Sequence, residues 1–147
     1  MTVLSILIPT IPERHEMFVR LYNKISEQIT LCETAHPSLG RVELLVDDSK
    51  KFLDGGLSIG KKREALVQRA TGNYSCFVDD DEDVSPDYVE TLLRMAQRNA
   101  DIITFRNFTV LENYWMIVDM GIYYPNDQAS GKFMVRRKPW HICPVRT

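Results

Sequence analysis

The feature that most constrains the fold of this chain is a threefold alternation of short apolar runs with helix-like segments. The apolar runs are residues 3–8, 42–46 and 74–78. Between them, apolar residues recur at a spacing of about four, which is typical of amphipathic helices. Strands that alternate with helices predict a parallel sheet with right-handed crossovers. We therefore expect an α/β fold, namely a three-layer α/β/α sandwich with a mostly parallel sheet.

The predicted helices cover residues 13–31 and 59–70, and a third helix opens at Ser85-Pro86-Asp87. Ser85 suits the N-cap of that helix and Pro86 its first position. Later strands are expected within residues 102–105, 114–120 and 132–135. The expected apolar stripes are Met17, Leu21, Ile25 and Ile29 in the first helix, Ile59, Leu66 and Ala70 in the second, and Tyr88, Leu92 and Ala96 in the third.

Composition places limits on the class of protein. A length of 147 residues predicts one domain, and 44% hydrophobic residues are enough for a packed core. The net charge of −2 does not suggest a nucleic-acid partner. No apolar run approaches the roughly 20 residues of a transmembrane helix. Three widely spaced cysteines predict a reducing compartment, so we expect a cytoplasmic protein.

The third apolar run ends abruptly in the acidic segment Asp79-Asp80-Asp81-Glu82-Asp83. Alternate side chains of a strand point the same way, so Asp79 and Asp81 are expected to present carboxylates to one site. A hard divalent cation would relieve the repulsion between these carboxylates. The alternative is a solvated acidic turn that precedes the third helix. The position directly after a buried strand favours the cation, because open α/β sheets bind ligands there.

Polar residues follow all three apolar runs: Pro9-Thr10, Asp47-Asp48 and the acidic segment. Sheet topology would bring these three ends to one edge. Lys61-Lys62-Arg63 opens the second predicted helix, and cations at a helix N-terminus suit a diphosphate. Taken singly, the Asp47-Asp48 pair suits a simple turn and the basic triplet a solvated helix face. The ordered combination predicts a nucleotide-diphosphate site.

Four segments in this order resemble glycosyltransferase family 2, whose members have the GT-A fold. They are residues 4–14, which begin the first strand, residues 42–49, residues 60–74 and the aspartate motif at 77–83. The resemblance covers roughly residues 3–146. It implies a metal-dependent, inverting transfer of a sugar from a nucleotide-diphosphate donor, with a UDP-sugar favoured, to an acceptor hydroxyl.

The resemblance also implies roles for individual residues. Nucleotide contacts would come from Pro9, Thr10, Arg14, Asp47, Asp48, Lys62, Arg63, Asp79 and Asp80. In this assignment Asp79 lies near the ribose, while Lys62 and Arg63 lie against the base or diphosphate. Asp81 would bind Mn²⁺ or Mg²⁺, with Asp79 and His141 as further candidate ligands. A structural role for His141 is the alternative.

The catalytic base is not identified by the resemblance. In the family it comes from an acidic motif downstream of the region that residues 138–146 resemble, and no acidic residue follows Asp127. Asp119 and Asp127 are the candidate bases, and both also suit surface turns. We expect a single GT-A-like domain over residues 1–147 that lacks C-terminal acceptor structure. A non-catalytic nucleotide-sugar binding module and a calcium-stabilised structural domain are the competing functions.

Overall fold

The computed structural model describes residues 1–49 and 59–104, together with the backbone of residues 107–111, 114–118 and 133–136. Its strands are β1 (Thr2–Pro9), β2 (Arg41–Asp47), β3 (Tyr74–Phe77), β4 (Ile102–Thr104), β5 (Asn107–Leu111), β6 (Tyr114–Val118) and β7 (Phe133–Arg136). Its α-helices are α1 (His15–Ala35), α2 (Ile59–Arg69) and α3 (Tyr88–Ala96), and 3₁₀ turns cover Pro12–Arg14 and Pro37–Leu39. Within these ranges, no helix combines the length and the apolar character needed to cross a bilayer.

The central sheet has five strands in the order β2-β1-β3-β7-β4. Strand β1 pairs in parallel with both β2 and β3. Strand β7 is antiparallel to both of its neighbours, so β4 runs in the same direction as the first three strands. Strands β5 and β6 form a separate antiparallel pair. The predicted α/β fold with a mostly parallel sheet is therefore confirmed, with one reversed strand inserted next to β3.

The side chains of β1 alternate between the two faces of the sheet. Leu4, Ile6 and Ile8 are buried in the larger core cluster, which contains the apolar residues of α1 and α3. Leu7 belongs instead to a smaller cluster with Leu66 of α2. Since successive strand residues point to opposite faces, α1 and α3 cover one face of the sheet and α2 covers the other. This arrangement gives the three predicted layers.

The predicted apolar stripes agree with the observed burial except at their ends. Leu21 and Ile25 of α1 are buried, whereas Met17 is exposed because a helix of 3.6 residues per turn drifts away from a strict spacing of four. In α2, Leu66 is buried but Ile59 is 46% exposed, so its assignment to the inner face is wrong. The inward row of α2 begins instead with Lys62, which lies four residues before Leu66.

The third helix begins later than the sequence predicts. Asp87 is its N-cap residue and Tyr88 its first residue, whereas Ser85 and Pro86 lie in a preceding turn. The Tyr88 amide donates to the Ser85 carbonyl at 3.2 Å and closes that turn. The predicted N-cap at Ser85 is therefore wrong by two residues. Further along α3, Leu92 and Ala96 are buried as expected.

A partly buried hydrogen-bond network anchors the turn between α2 and β3. The Glu43 carboxylate accepts bonds from the Ser5 hydroxyl, from the amide and hydroxyl of Thr71, and from the Gly72 amide. Burial opposes ionisation of Glu43, but these hydrogen bonds outweigh it and lower the pKa of the carboxyl. Gly72 packs so closely on β1 that an added Cβ would lie 2.6 Å from Ser5 Oγ. The network fixes where β3 enters the sheet.

Candidate functional site

The carboxyl ends of β1, β2 and β3 lie side by side, as the sequence predicts. Pro9 is in register with Asp47, and Leu7 is in register with Phe77. Beyond the last strand residue, the Thr10 amide still donates to the Asp47 carbonyl at 2.9 Å. The polar segments that follow the three strands therefore share one edge of the sheet.

Asp80 is the buried member of the acidic segment, with only 2% of its surface exposed. The Thr10 hydroxyl donates to Asp80 Oδ2 at 2.7 Å, and Arg14 Nη1 donates to Oδ1 at 2.9 Å. The hydrogen bond to Asp80 and the charge of its carboxylate raise the pKa of the Arg14 guanidinium. Asp80 thus connects the loop after β3 to the segment that leads from β1 into α1.

Asp79 lies on the side of the sheet opposite Asp80, where it binds Arg63 of α2. Arg63 Nη2 lies 2.8 Å from Asp79 Oδ1 and 2.9 Å from Oδ2. The same guanidinium lies over the Phe77 ring, 5.5 Å from its centroid. Arg63 Nε is buried and has no hydrogen-bond partner among the residues that the structure describes. The position of Arg63 is therefore fixed by a strand residue and by the carboxylate that follows it.

Asp81 is the most accessible of the three consecutive aspartates. Its side chain is 52% exposed, and Arg14 Nη1 contacts its Oδ2 at 3.3 Å. Strand β3 ends at Phe77, and the Glu82 amide donates to the Asp79 carbonyl in a turn. The strand pleat therefore does not extend to Asp79 and Asp81. The expectation that these two carboxylates share one direction for this reason is wrong, since they contact different arginines.

Lys62 is buried, with 2% of its surface exposed. Its Nζ donates to the Thr10 carbonyl and, at 2.9 Å, to the Ser49 carbonyl. Asp47 Oδ1 lies 3.9 Å from the same nitrogen. The neighbouring Lys61 is exposed, so the basic triplet is not one continuous solvated face.

Asp47 and Asp48 also differ in their surroundings. Asp47 Oδ1 accepts bonds from the Ser49 amide at 3.0 Å and from the Ser49 hydroxyl at 2.6 Å. Burial opposes ionisation of Asp47, but the bonds from Ser49 and the charge of Lys62 outweigh it and lower the pKa of the carboxyl. Asp48 is exposed. Asp47 therefore has a fixed ionised carboxylate, while Asp48 projects into solvent.

Two features of this site were missed from the sequence. One is Ser49, which bonds Asp47 and Lys62; the turn that an aspartate forms with the serine two residues later is its sequence signal. The other is the internal position of Lys62. The spacing of Lys62, Leu66 and Ala70 at four-residue intervals could have revealed it, because the other two belong to the core.

The described residues supply only some of the ligands that a metal ion would need. Within them, no group of three His, Cys, Asp or Glu side chains could hold a metal ion. Mg²⁺ in phosphate-transfer sites is commonly bound by one or two carboxylates together with phosphate oxygens and water. The exposed carboxylate of Asp81 supplies an oxygen ligand of that kind. The candidate residues Asp119, Asp127 and His141 lie outside the described residues.

The chain belongs to glycosyl transferase family 2, because the family profile of that description matches residues 51–140, which is more than half of the chain. Its α/β fold is of the GT-A type. No curated protein matches the chain. Among solved structures, it is similar to the "Crystal structure of S. aureus TarS 1-349", with 13% sequence identity and a TM-score of 0.48. The similarity covers 70% of this chain and 35% of the other, and carries no argument about function.

Proposed function

We propose that this chain is a glycosyltransferase domain that binds a nucleotide-diphosphate sugar at the carboxyl ends of β1, β2 and β3. Transfer to an acceptor hydroxyl is metal-dependent and inverting. The observation that supports this proposal is how the three consecutive aspartates after β3 contact arginines at this edge of the sheet. Asp79 and Asp80 accept hydrogen bonds of 2.8 and 2.9 Å from Arg63 and Arg14, whereas Asp81 has a longer 3.3 Å contact with Arg14 and keeps an exposed carboxylate beside them. The family match over residues 51–140 supports the same chemistry.

In the proposed complex, Pro9 and Thr10 border the nucleotide, and Asp47 or Asp48 contacts the base or ribose. Asp79 accepts hydrogen bonds from the ribose, and Arg63 holds its carboxylate in place. Arg14 and Arg63 supply positive charge toward the diphosphate. Asp80 acts indirectly, since its buried carboxylate orients Thr10 and Arg14.

Transfer breaks the bond between the sugar and the diphosphate as the acceptor oxygen attacks the opposite face of the anomeric carbon. A carboxylate takes the proton of the acceptor hydroxyl, and Asp119 and Asp127 are the candidates for this role. Asp81 would hold Mn²⁺ or Mg²⁺, and the bound ion would neutralise charge on the leaving diphosphate. The extent of the domain over residues 1–147 and the cytoplasmic location stay predictions.

The test is calorimetric titration of UDP into the purified chain with and without Mn²⁺. We expect Mn²⁺ to strengthen binding by about tenfold or more, since a charge-assisted contact contributes roughly 1.5–3 kcal/mol. Asp81→Asn should remove the effect of the metal. Asp83→Asn is the matched control, because Asp83 is exposed and pairs with Lys24 of α1 at 2.7 Å.

Equal UDP affinity with and without Mn²⁺ would contradict metal dependence. Loss of the metal effect in Asp83→Asn as well as in Asp81→Asn would assign it to the charge of the whole acidic segment. A chain that binds neither UDP nor any other nucleoside diphosphate would refute the proposed donor site.

A further inference from the structure

We infer that Lys62 is a positioning residue of this site. Its ammonium group holds the ends of β1 and β2 together and keeps Thr10 against Asp80, without touching the nucleotide. This differs from the direct contact with base or diphosphate that the family resemblance implies for Lys62. The part that concerns nucleotide affinity rests on the proposed function, whereas the part that concerns the two strand ends does not.

The first argument is that protein groups already surround the Lys62 ammonium. A protonated lysine has three N–H donors. Two of them are directed to the carbonyls of Thr10 and Ser49, and Asp47 Oδ1 lies 3.9 Å away on the side of β2. With 2% of the residue exposed, the nitrogen lies behind the surface that a ligand would reach.

The second argument is the cost of burying a charge. A buried ammonium is strongly unfavourable unless hydrogen bonds and an opposite charge compensate it. The two carbonyls and the Asp47 carboxylate provide that compensation, and they lie at the ends of two different strands, β1 and β2. The ammonium can therefore stay compensated only while the ends of β1 and β2 keep their present separation.

The third argument connects Lys62 to the acidic segment. Thr10 uses its carbonyl to bind Lys62 and its hydroxyl to bind Asp80 Oδ2 at 2.7 Å. Asp80 in turn binds Arg14 at 2.9 Å. A shift of the Thr10 backbone would thus move the hydroxyl that fixes Asp80. Through this chain of contacts, a cation on α2 sets the position of groups on the other face of the sheet.

Lysine reactivity in the unaltered protein is the first test. During brief reductive methylation of the folded chain without nucleotide, we expect Lys61 to be modified and Lys62 to remain unmodified, as read by peptide mass spectrometry. Addition of UDP should leave the Lys62 result unchanged. Modification of Lys62 at the rate of Lys61, followed by protection when UDP is added, would overturn the inference, because it would show a lysine that meets the ligand directly.

The second test compares Lys62→Met with Lys61→Met. We expect Lys62→Met to speed hydrogen exchange of the Thr10 amide, measured by NMR, because that amide bonds to the Asp47 carbonyl at 2.9 Å across the two strand ends. UDP affinity should fall by about tenfold or more. Lys61→Met should change neither quantity. If Lys62→Met does not fold, Lys62→Gln keeps N–H donors without the charge, and the same directions are expected.

A control for general destabilisation is Leu66→Ala, which removes a fully buried side chain one turn along the same face of α2. Its folded form should keep the UDP affinity of the wild type. Equal loss of affinity in Leu66→Ala and Lys62→Met would overturn the positioning role. If the wild type binds no nucleoside diphosphate, the proposed donor site fails, while Thr10 exchange still tests Lys62. Unchanged Thr10 exchange in Lys62→Met would refute the inference whatever the ligand.

Discussion

The consecutive aspartates Asp80 and Asp81 should differ sharply in their contribution to stability. Asp80 is 2% exposed and accepts bonds from Thr10 and Arg14. Asp81 is half exposed and has one long contact with Arg14. Replacing each with alanine removes one carboxylate of the same charge from neighbouring positions. The comparison therefore separates the effect of burial from that of net charge.

The magnitude for Asp80→Ala follows from its buried partner. The Thr10 hydroxyl is buried and would keep only a long 3.4 Å contact with the Ile11 carbonyl, and leaving a buried polar group poorly paired costs about 1–3 kcal/mol. The ion pair with Arg14 adds little to this, because the Arg14 side chain is 45% exposed and solvent screens the interaction. We expect no measurable loss of stability for Asp81→Ala for the same reason.

Urea denaturation at pH 7, followed by circular dichroism, measures this difference. With a slope of about 1–3 kcal/mol per molar urea for a small protein, the midpoint of Asp80→Ala should fall by roughly 1 M. The midpoint of Asp81→Ala should stay at that of the wild type. Equal midpoints for Asp80→Ala and wild type, or an equal fall for both variants, would refute the distinct role of the buried carboxylate.

Two further predictions concern the anchored turn before β3. Gly72→Ala should lower the free energy of unfolding by about 1–3 kcal/mol, the usual cost of overpacking, because the new Cβ would meet the Ser5 backbone nitrogen at 2.7 Å; thermal melting that matches wild type would contradict this. Glu43→Gln should destabilise the chain at pH 7 and less so at pH 3.5. The folded-state pKa of Glu43 is lowered, so its stabilisation is complete above the unfolded-state pKa of about 4.3 and is lost as pH falls toward the folded-state value. Urea midpoints at both pH values check this, and a pH-independent difference would show that ionised Glu43 is not responsible.

Local sequence patterns predicted most of the described fold because they act within single elements. The predicted helices and strands agree with the observed ones to within a few residues, although β5 was not predicted, and the three strand ends meet as expected. The insertion of β7 between β3 and β4 was not predictable in this way, since strand pairing joins residues far apart in the chain. The late start of α3 depends on a turn that closes through the Ser85 carbonyl, which residue type alone does not determine.

The candidate site was predicted less completely than the fold. The sequence grouped Thr10, Asp47 and Asp79 correctly at one edge, because parallel strands end on the same side of a sheet. It did not distinguish buried from exposed charges within a run. Lys62 and Asp80 are buried, while their neighbours Lys61 and Asp81 are exposed. Whether a charged side chain is buried depends on which cation or carbonyl it reaches. Amino-acid composition does not predict those contacts.

The resident charges at this edge lie on the two sides of the sheet. Asp47, the last residue of β2, and Asp79, two residues beyond β3, lie against Lys62 and Arg63 of α2 respectively. Asp80 lies on the other side, where it binds Thr10 and Arg14 from the segment just before α1. A shift of one residue in β2 would move Asp47 to the face opposite Lys62. The register that packs the core is thus also the register that assembles the proposed donor site.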